Sequence, residues 1–276
     1  MLSKEEIKNI FKKEDLKILK SLGQNFLIDE KVLKKIIICS DLNSDDVVFE
    51  IGPGLGILTK ELSEKCRKVV SIEKDVKISQ MLKNKFENVE VINNDILQIN
   101  IRELVQKYSE NGKFKLVSNI PYYITSPIIK LFLENDVLPK IIVLLTQKEV
   151  AERICAKPGK LSMIALGVQT YGEPKIIDFV KNTSFYPCPK VDSAILKIID
   201  IKRDFSKEYY KNLFRIMKIG FSAKRKKLVN NLSSGLQLDK KQSEEILSYA
   251  EIDLKARAQE LGLDDWKKLS EIIQRK

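Results

Sequence analysis

The sequence predicts an α/β protein in which a parallel, doubly wound sheet precedes a small all-helical domain. Short β-rich runs alternate with helical stretches from residue 46 to about residue 200. An apolar strand runs straight into a glycine-rich turn at Phe49-Glu50-Ile51-Gly52-Pro53-Gly54-Leu55-Gly56. Beyond residue 205 the apolar side chains recur at helical rather than strand spacing.

Residues 1–20 alternate charged and apolar positions with a helical lean, and residues 30–39 place Val32, Leu33, Ile36 and Ile37 on one helical face. Between them, Leu22-Gly23-Gln24-Asn25-Phe26-Leu27 reads as a functional loop or as a plain helix connector. Strands are expected at Val47–Ile51, Lys68–Ile72, Val89–Asn93, Phe114–Ser118 and Ile141–Thr146, with a closing antiparallel hairpin from Lys175–Val180 and Ala194–Ile199. The domain boundary falls at Asp200–Asp204, where β-branched alternation gives way to charge, so the units expected are 1–204 and 205–276. In the second, Tyr209, Leu213, Ile216 and Met217 mark an amphipathic helix, and Asp264 reads as an N-cap ahead of Trp266, Leu269, Ile272 and Ile273.

The chain of 276 residues can bury a sizeable core, and its 43% hydrophobic residues are spread throughout. Lysine and arginine outnumber acidic residues by 49 to 38, a formal charge of +11 that suits a polyanionic partner or reflects a lysine-rich genome. Distribution favours the first reading, because residues 205–276 alone hold 16 basic against 10 acidic side chains. The four cysteines, Cys39, Cys66, Cys155 and Cys188, have no paired metal-ligand or redox spacing and read as core residues of a reduced, cytoplasmic protein. No signal-type apolar core follows Met1, and the longest apolar run, Ile141–Leu145, is too short to span a bilayer. Histidine is absent, which excludes the usual imidazole catalysts and metal ligands.

In the glycine turn, three glycines at alternate positions let the backbone fold tightly and approach a ligand. A dinucleotide fingerprint would place its third glycine at position 57, which is Ile57, so the pattern favours S-adenosylmethionine over a nicotinamide cofactor. Glu73, Asp95 and Asn119 follow Gly52 at intervals of 21, 22 and 24 residues, each at the end of an expected strand. In a parallel sheet that puts all of them at one edge, where Glu73 can accept from ribose hydroxyls and Asp95 from an adenine amine. Taken singly, each acid reads more readily as a helix cap or a surface charge than as a ligand, and it is the regular spacing that favours the site.

The most specific segment is Ser118-Asn119-Ile120-Pro121-Tyr122-Tyr123. Pro121 keeps Ile120 extended, so the Asn119 side-chain oxygen and the Ile120 carbonyl can accept the two protons of an exocyclic base amine while Tyr122 stacks on the ring. A second turn-like segment, Ser184-Phe185-Tyr186-Pro187-Cys188-Pro189-Lys190-Val191-Asp192-Ser193, offers Phe185 for the other face of the base and Lys190 for phosphate. Lys224-Arg225-Lys226-Lys227 reads as an RNA-phosphate contact or as a solvated helix face.

Together these segments, with Phe221-Ser222-Ala223-Lys224-Arg225-Lys226-Lys227-Leu228 and Arg257-Ala258-Gln259-Glu260-Leu261, resemble the ribosomal RNA adenine dimethyltransferase family over nearly the whole chain. The resemblance implies a class I (Rossmann-like) methyltransferase domain with a helical RNA-binding domain. It further implies an S-adenosylmethionine site at Gln24, Asn25, Leu27, Gly52, Gly54, Glu73, Asp95 and Asn119, and a target-base site at Asn119, Ile120, Pro121, Tyr122 and Phe185. The activity implied is dimethylation of two adjacent adenines of small-subunit (16S) ribosomal RNA during ribosome biogenesis, by a cytoplasmic monomer without a metal. Lys224 stands where an arginine is common in the family. Three alternatives remain at this level: a large-subunit resistance methylase, a nicotinamide oxidoreductase, and a non-catalytic RNA-binding assembly factor that keeps the fold.

Overall fold

In the computed structural model, which describes residues 1–19, 22–223 and 225–275, the chain folds into two compact units. In chain order the elements are α1 (Lys4–Lys13), β1 (Phe26–Leu27), α2 (Glu30–Cys39), β2 (Val47–Ile51), α3 (Ile57–Ser63), β3 (Lys68–Glu73), α4 (Val76–Leu82) and β4 (Val89–Asn93). They continue with α5 (Ile101–Tyr108), β5 (Lys115–Asn119), α6 (Thr125–Leu133), β6 (Ile142–Gln147), α7 (Lys148–Ile154), α8 (Met163–Gln169), β7 (Glu173–Val180), β8 (Phe185–Tyr186) and β9 (Ser193–Ile199). Four helices close the chain: α9 (Lys207–Gly220), α10 (Leu228–Leu236), α11 (Lys240–Tyr249) and α12 (Leu263–Arg275).

The first unit, residues 1–151 and 172–201, is a seven-stranded sheet in the order β4-β3-β2-β5-β6-β9-β7. The five strands from β4 to β6 are parallel, and β9 and β7 close one edge antiparallel. All five residues of β2 are buried, as are the first five of β6, which is what a parallel strand covered by helices on both faces requires. Several of the covering helices start on side-chain caps: Asp29 for α2, Asp75 for α4 and Asn100 for α5 each satisfy first-turn N–H groups. Strand order reverses between β2 and β5, and a crevice therefore opens at the carboxyl ends of these two strands. A separate two-stranded ladder pairs β1 with β8, Phe26 opposite Tyr186 and Leu27 opposite Phe185.

The second unit comprises residues 152–171 and 202–276. The boundary expected at Asp200–Asp204 lies close to the last of the three crossings between the units, but no local pattern signals that α8 and its flanks join the C-terminal helices. The link is made by backbone: the Gln259 carbonyl accepts N–H groups from Gly159 (2.9 Å) and Leu161 (3.2 Å). Leu161, Ala165 and Leu166 then pack into one core with Leu213, Met217, Leu232, Ala258 and Trp266. The N-cap expected at Asp264 is corrected, because α12 begins at Leu263 and holds Asp264 in its first turn. The Asp265 carboxylate instead accepts the Gly262 N–H at 2.8 Å. Among the described residues no helix is long and apolar enough to cross a membrane.

Candidate active site

The crevice at the carboxyl edge of the sheet holds a cavity of about 220 Å³ within the first unit. Its walls come from the loop Leu22–Leu27, the glycine turn after β2, Glu73 and Lys74 at the end of β3, the segment Asn94–Leu97 after β4, and Asn119–Ile124 after β5. Every candidate cofactor residue read from the sequence, Gln24, Asn25, Leu27, Gly52, Gly54, Glu73, Asp95 and Asn119, lines this one cavity.

Backbone geometry shapes the glycine turn. Gly54 sits at φ +56° and a β-carbon there would meet the Phe26 ring at 3.2 Å, while Gly56 caps α3 at φ +80° with Leu82 only 2.7 Å from such a carbon. Side chains at either position would strain the turn and push on its packing. Glu73 is buried at 7% exposure, and its Oε1 accepts the Asp75 N–H at 2.8 Å. Burial raises its pKa above the usual carboxylate value, and N–H groups of Asp75, Gly54 and Lys74 hold it down against that.

Asp95 pairs with Lys74 at 2.8 Å and caps the turn at Leu97 through its other oxygen. The Lys74 ammonium lowers its pKa, so this carboxylate stays charged. Gln24 donates to Asp75 at 3.1 Å and accepts the Leu19 N–H at 2.8 Å, so its polar atoms fasten the N-terminal loop to the start of α4. Asn119 donates through Nδ2 to the Asn25 carbonyl at 3.3 Å, which joins the loop to β5 and leaves the acceptor end of the amide for another partner.

Ile120, Pro121 and Tyr122 also line the cavity, and so does Tyr123, which is 56% exposed and rests its ring beside Gly23. Phe185 requires a correction. It is 1% exposed, lies outside the cavity lining, and packs in the core with Leu27, Val32 and Val180, because its pairing opposite Leu27 turns it inward. The segment Phe185–Ser193 reaches the site instead through Ser193, whose hydroxyl meets Tyr122.

Two further residues are not evident from sequence. Glu50, at 1% exposure, accepts from Thr59 (2.7 Å) and Ser71 (2.8 Å) at the cavity floor. Its only sequence signal is a charge inside an apolar strand. Tyr123 belongs to the Asn119–Tyr123 segment, but nothing in the pattern assigns it a role. Lys190 is exposed on the proline loop; Arg225, Lys226 and Lys227 are exposed in the connection from α9 to α10 rather than on a helix face. Lys224 lies outside the described residues.

A doubly wound sheet with an antiparallel edge, a glycine turn and a buried acid closing β3 is the architecture of an S-adenosylmethionine-dependent methyltransferase. The family profile described as "Ribosomal RNA adenine dimethylase" matches residues 15–275. Proteins named ribosomal RNA small subunit methyltransferase A are similar over almost the whole chain. That of Dehalococcoides mccartyi is 40% identical, covering 92% of this chain and 88% of its own. That of Clostridioides difficile is 38% identical over 98% and 95%. Among solved structures, a dimethyladenosine transferase from Plasmodium falciparum is 27% identical with a TM-score of 0.74, covering 88% of this chain and 95% of its own. The 23S rRNA methyltransferase ErmE is also 27% identical, with a TM-score of 0.71 and coverage of 90% and 99%. The chain belongs to the ribosomal RNA adenine dimethylase family, and it is an enzyme whose methyl donor is S-adenosylmethionine.

Proposed function

We propose that this enzyme dimethylates the exocyclic amines of two adjacent adenines in small-subunit ribosomal RNA during ribosome biogenesis. The observation that carries the reading is the convergence of Glu73, the glycine turn and Asn119–Tyr122 on one cavity. The choice of subunit rests on the relatives, since the small-subunit enzymes reach 38–40% identity whereas the 23S enzyme stands at 27%.

The site residues fit S-adenosylmethionine by their chemistry. Glu73 supplies a buried carboxylate for ribose hydroxyls, and Asp95 an acceptor at the base end. Glu73 is the carboxylate that faces the cavity, and a cationic ligand bound beside it would favour its charged form. Gly52 and Gly54, both with left-handed backbone (φ +68° and +56°), shape the turn whose backbone lines the cavity. The bound donor supplies a methyl group already activated by its positive sulfur, so the protein's share is positioning, with reacting atoms about 3 to 3.5 Å apart.

The free acceptor end of Asn119 and the Ile120 carbonyl accept hydrogen bonds from the two amine N–H groups and turn the nitrogen lone pair toward the methyl, while Tyr122 stacks on the ring. No general base is needed, because the amine sheds its proton once methylation has made it cationic. Lys190 and the run Lys224–Lys227 meet RNA phosphates. A chiral methyl donor should give inverted configuration, as one in-line displacement demands, and retention would refute it. The decisive experiment is methyl transfer to small-subunit particles followed by mapping: dimethyladenosine in small-subunit RNA is expected, and dimethyladenosine in large-subunit RNA instead would overturn the assignment.

A further inference from the structure

The loop that carries Tyr122 is fastened to the sheet by three hydroxyl groups. Tyr122 Oη and Ser193 Oγ share a hydrogen bond of 2.7 Å. Thr125 Oγ1 donates to the Tyr122 carbonyl at 3.1 Å and shares a second bond of 2.8 Å with Thr146 Oγ1. Since the Thr125 proton goes to the carbonyl, the Thr146 hydroxyl is the donor in that pair. Thr146 lies on β6 and Ser193 on β9, in adjacent and antiparallel strands. Tyr122 is thus gripped at its backbone from one strand and at its phenol from the next.

Ser193 is a rigid anchor. It is fully buried and its backbone is in register with Gln147 of β6 on one side and Val180 of β7 on the other. Neither Ser193 nor Thr146 lines the cavity, so whatever they contribute to the reaction passes through Tyr122.

We propose that Ser193 is a positioning residue, which fixes the phenol of Tyr122 so that its ring presents one set orientation to the target base. This rests on the reading of Tyr122 as the stacking residue. A ring attached only through its own Cβ turns about two side-chain bonds; a hydrogen bond from the strand to the far end of the ring removes that freedom before the base arrives. The second proline segment therefore serves the site through the hydroxyl of its last residue.

The test is single-turnover methyl transfer to small-subunit particles at saturating S-adenosylmethionine, by the unaltered protein, Ser193→Ala, Tyr122→Phe and the double variant. Loss of one neutral hydrogen bond predicts that each single variant is slower by about 3- to 10-fold. Cofactor affinity by calorimetry is expected to stay unchanged, and the double variant should be no slower than the slower single one. A merely structural role would not produce that coupling together with intact cofactor binding. Transfer by Ser193→Ala at the parental rate, or additive losses in the double variant, would overturn the positioning role alone. No transfer to adenine by the unaltered protein would overturn the functional reading and the positioning role with it.

Discussion

Glu73 and Glu50 lie side by side in chemistry but differ in task. Glu73 keeps one face toward the cavity, and Glu73→Ala should weaken S-adenosylmethionine binding by roughly tenfold to a hundredfold, the worth of a charge-assisted hydrogen bond. Calorimetry on the folded variant checks it, and undiminished affinity would refute the ribose assignment. Glu50 is walled in; burial pushes its pKa up to about 7, the hydroxyls of Thr59 and Ser71 restrain that rise, and the charge of Glu73 adds to it. The folded state then holds a proton that the unfolded state has released, so stability falls as pH rises from about 4.5 to about 7. Glu50→Gln should flatten that dependence, and urea unfolding across this range reads it directly. Glu73, raised in the same direction, accounts for slope that remains.

At the scale of elements, packing decides what the helices of the second unit tolerate. Gly220 ends α9, and a β-carbon there would stand 2.2 Å from Cη2 of Trp266, a fully buried side chain on α12. The indole is stacked on Phe221 and has no room to yield. Gly220→Ala should therefore cost about 1 to 3 kcal/mol as an overpacked core. Cofactor affinity should be untouched, because the cavity lies wholly in the other unit. Urea melts with parallel calorimetry separate the two effects, and a variant as stable as its parent would show that α9 and α12 give way more easily than their packing implies.

For the whole molecule the governing quantity is the charge of +11 and its concentration toward the C-terminal quarter. Arg225, Lys226 and Lys227 are exposed together between two helices, where they can face a polyanion. Reversing these three charges should weaken RNA binding and leave S-adenosylmethionine affinity alone. The salt slope of RNA affinity should fall by about one for each phosphate that no longer has a cationic partner. A slope equal to the parent's would remove this run from the RNA interface.

The strands of the sheet, the glycine turn and the co-location of Glu73, Asp95 and Asn119 were legible in the sequence alone. Buried parallel strands read as apolar β-branched runs, and their parallel direction brings evenly spaced strand ends to one edge. The Asn119–Tyr122 segment was legible because Pro121 constrains the backbone locally. What only the tertiary structure decided depends on which surfaces meet. Pairing of the two-residue strands β1 and β8 turned Phe185 into the core, a register that no local pattern encodes. Backbone bonds to Gln259 drew residues 152–171 into the second unit, and side-chain composition is silent about backbone partners. Ser193 met Tyr122 across 71 positions of chain only because β9 inserts beside β6 rather than at the edge, a choice made by the burial of whole strands.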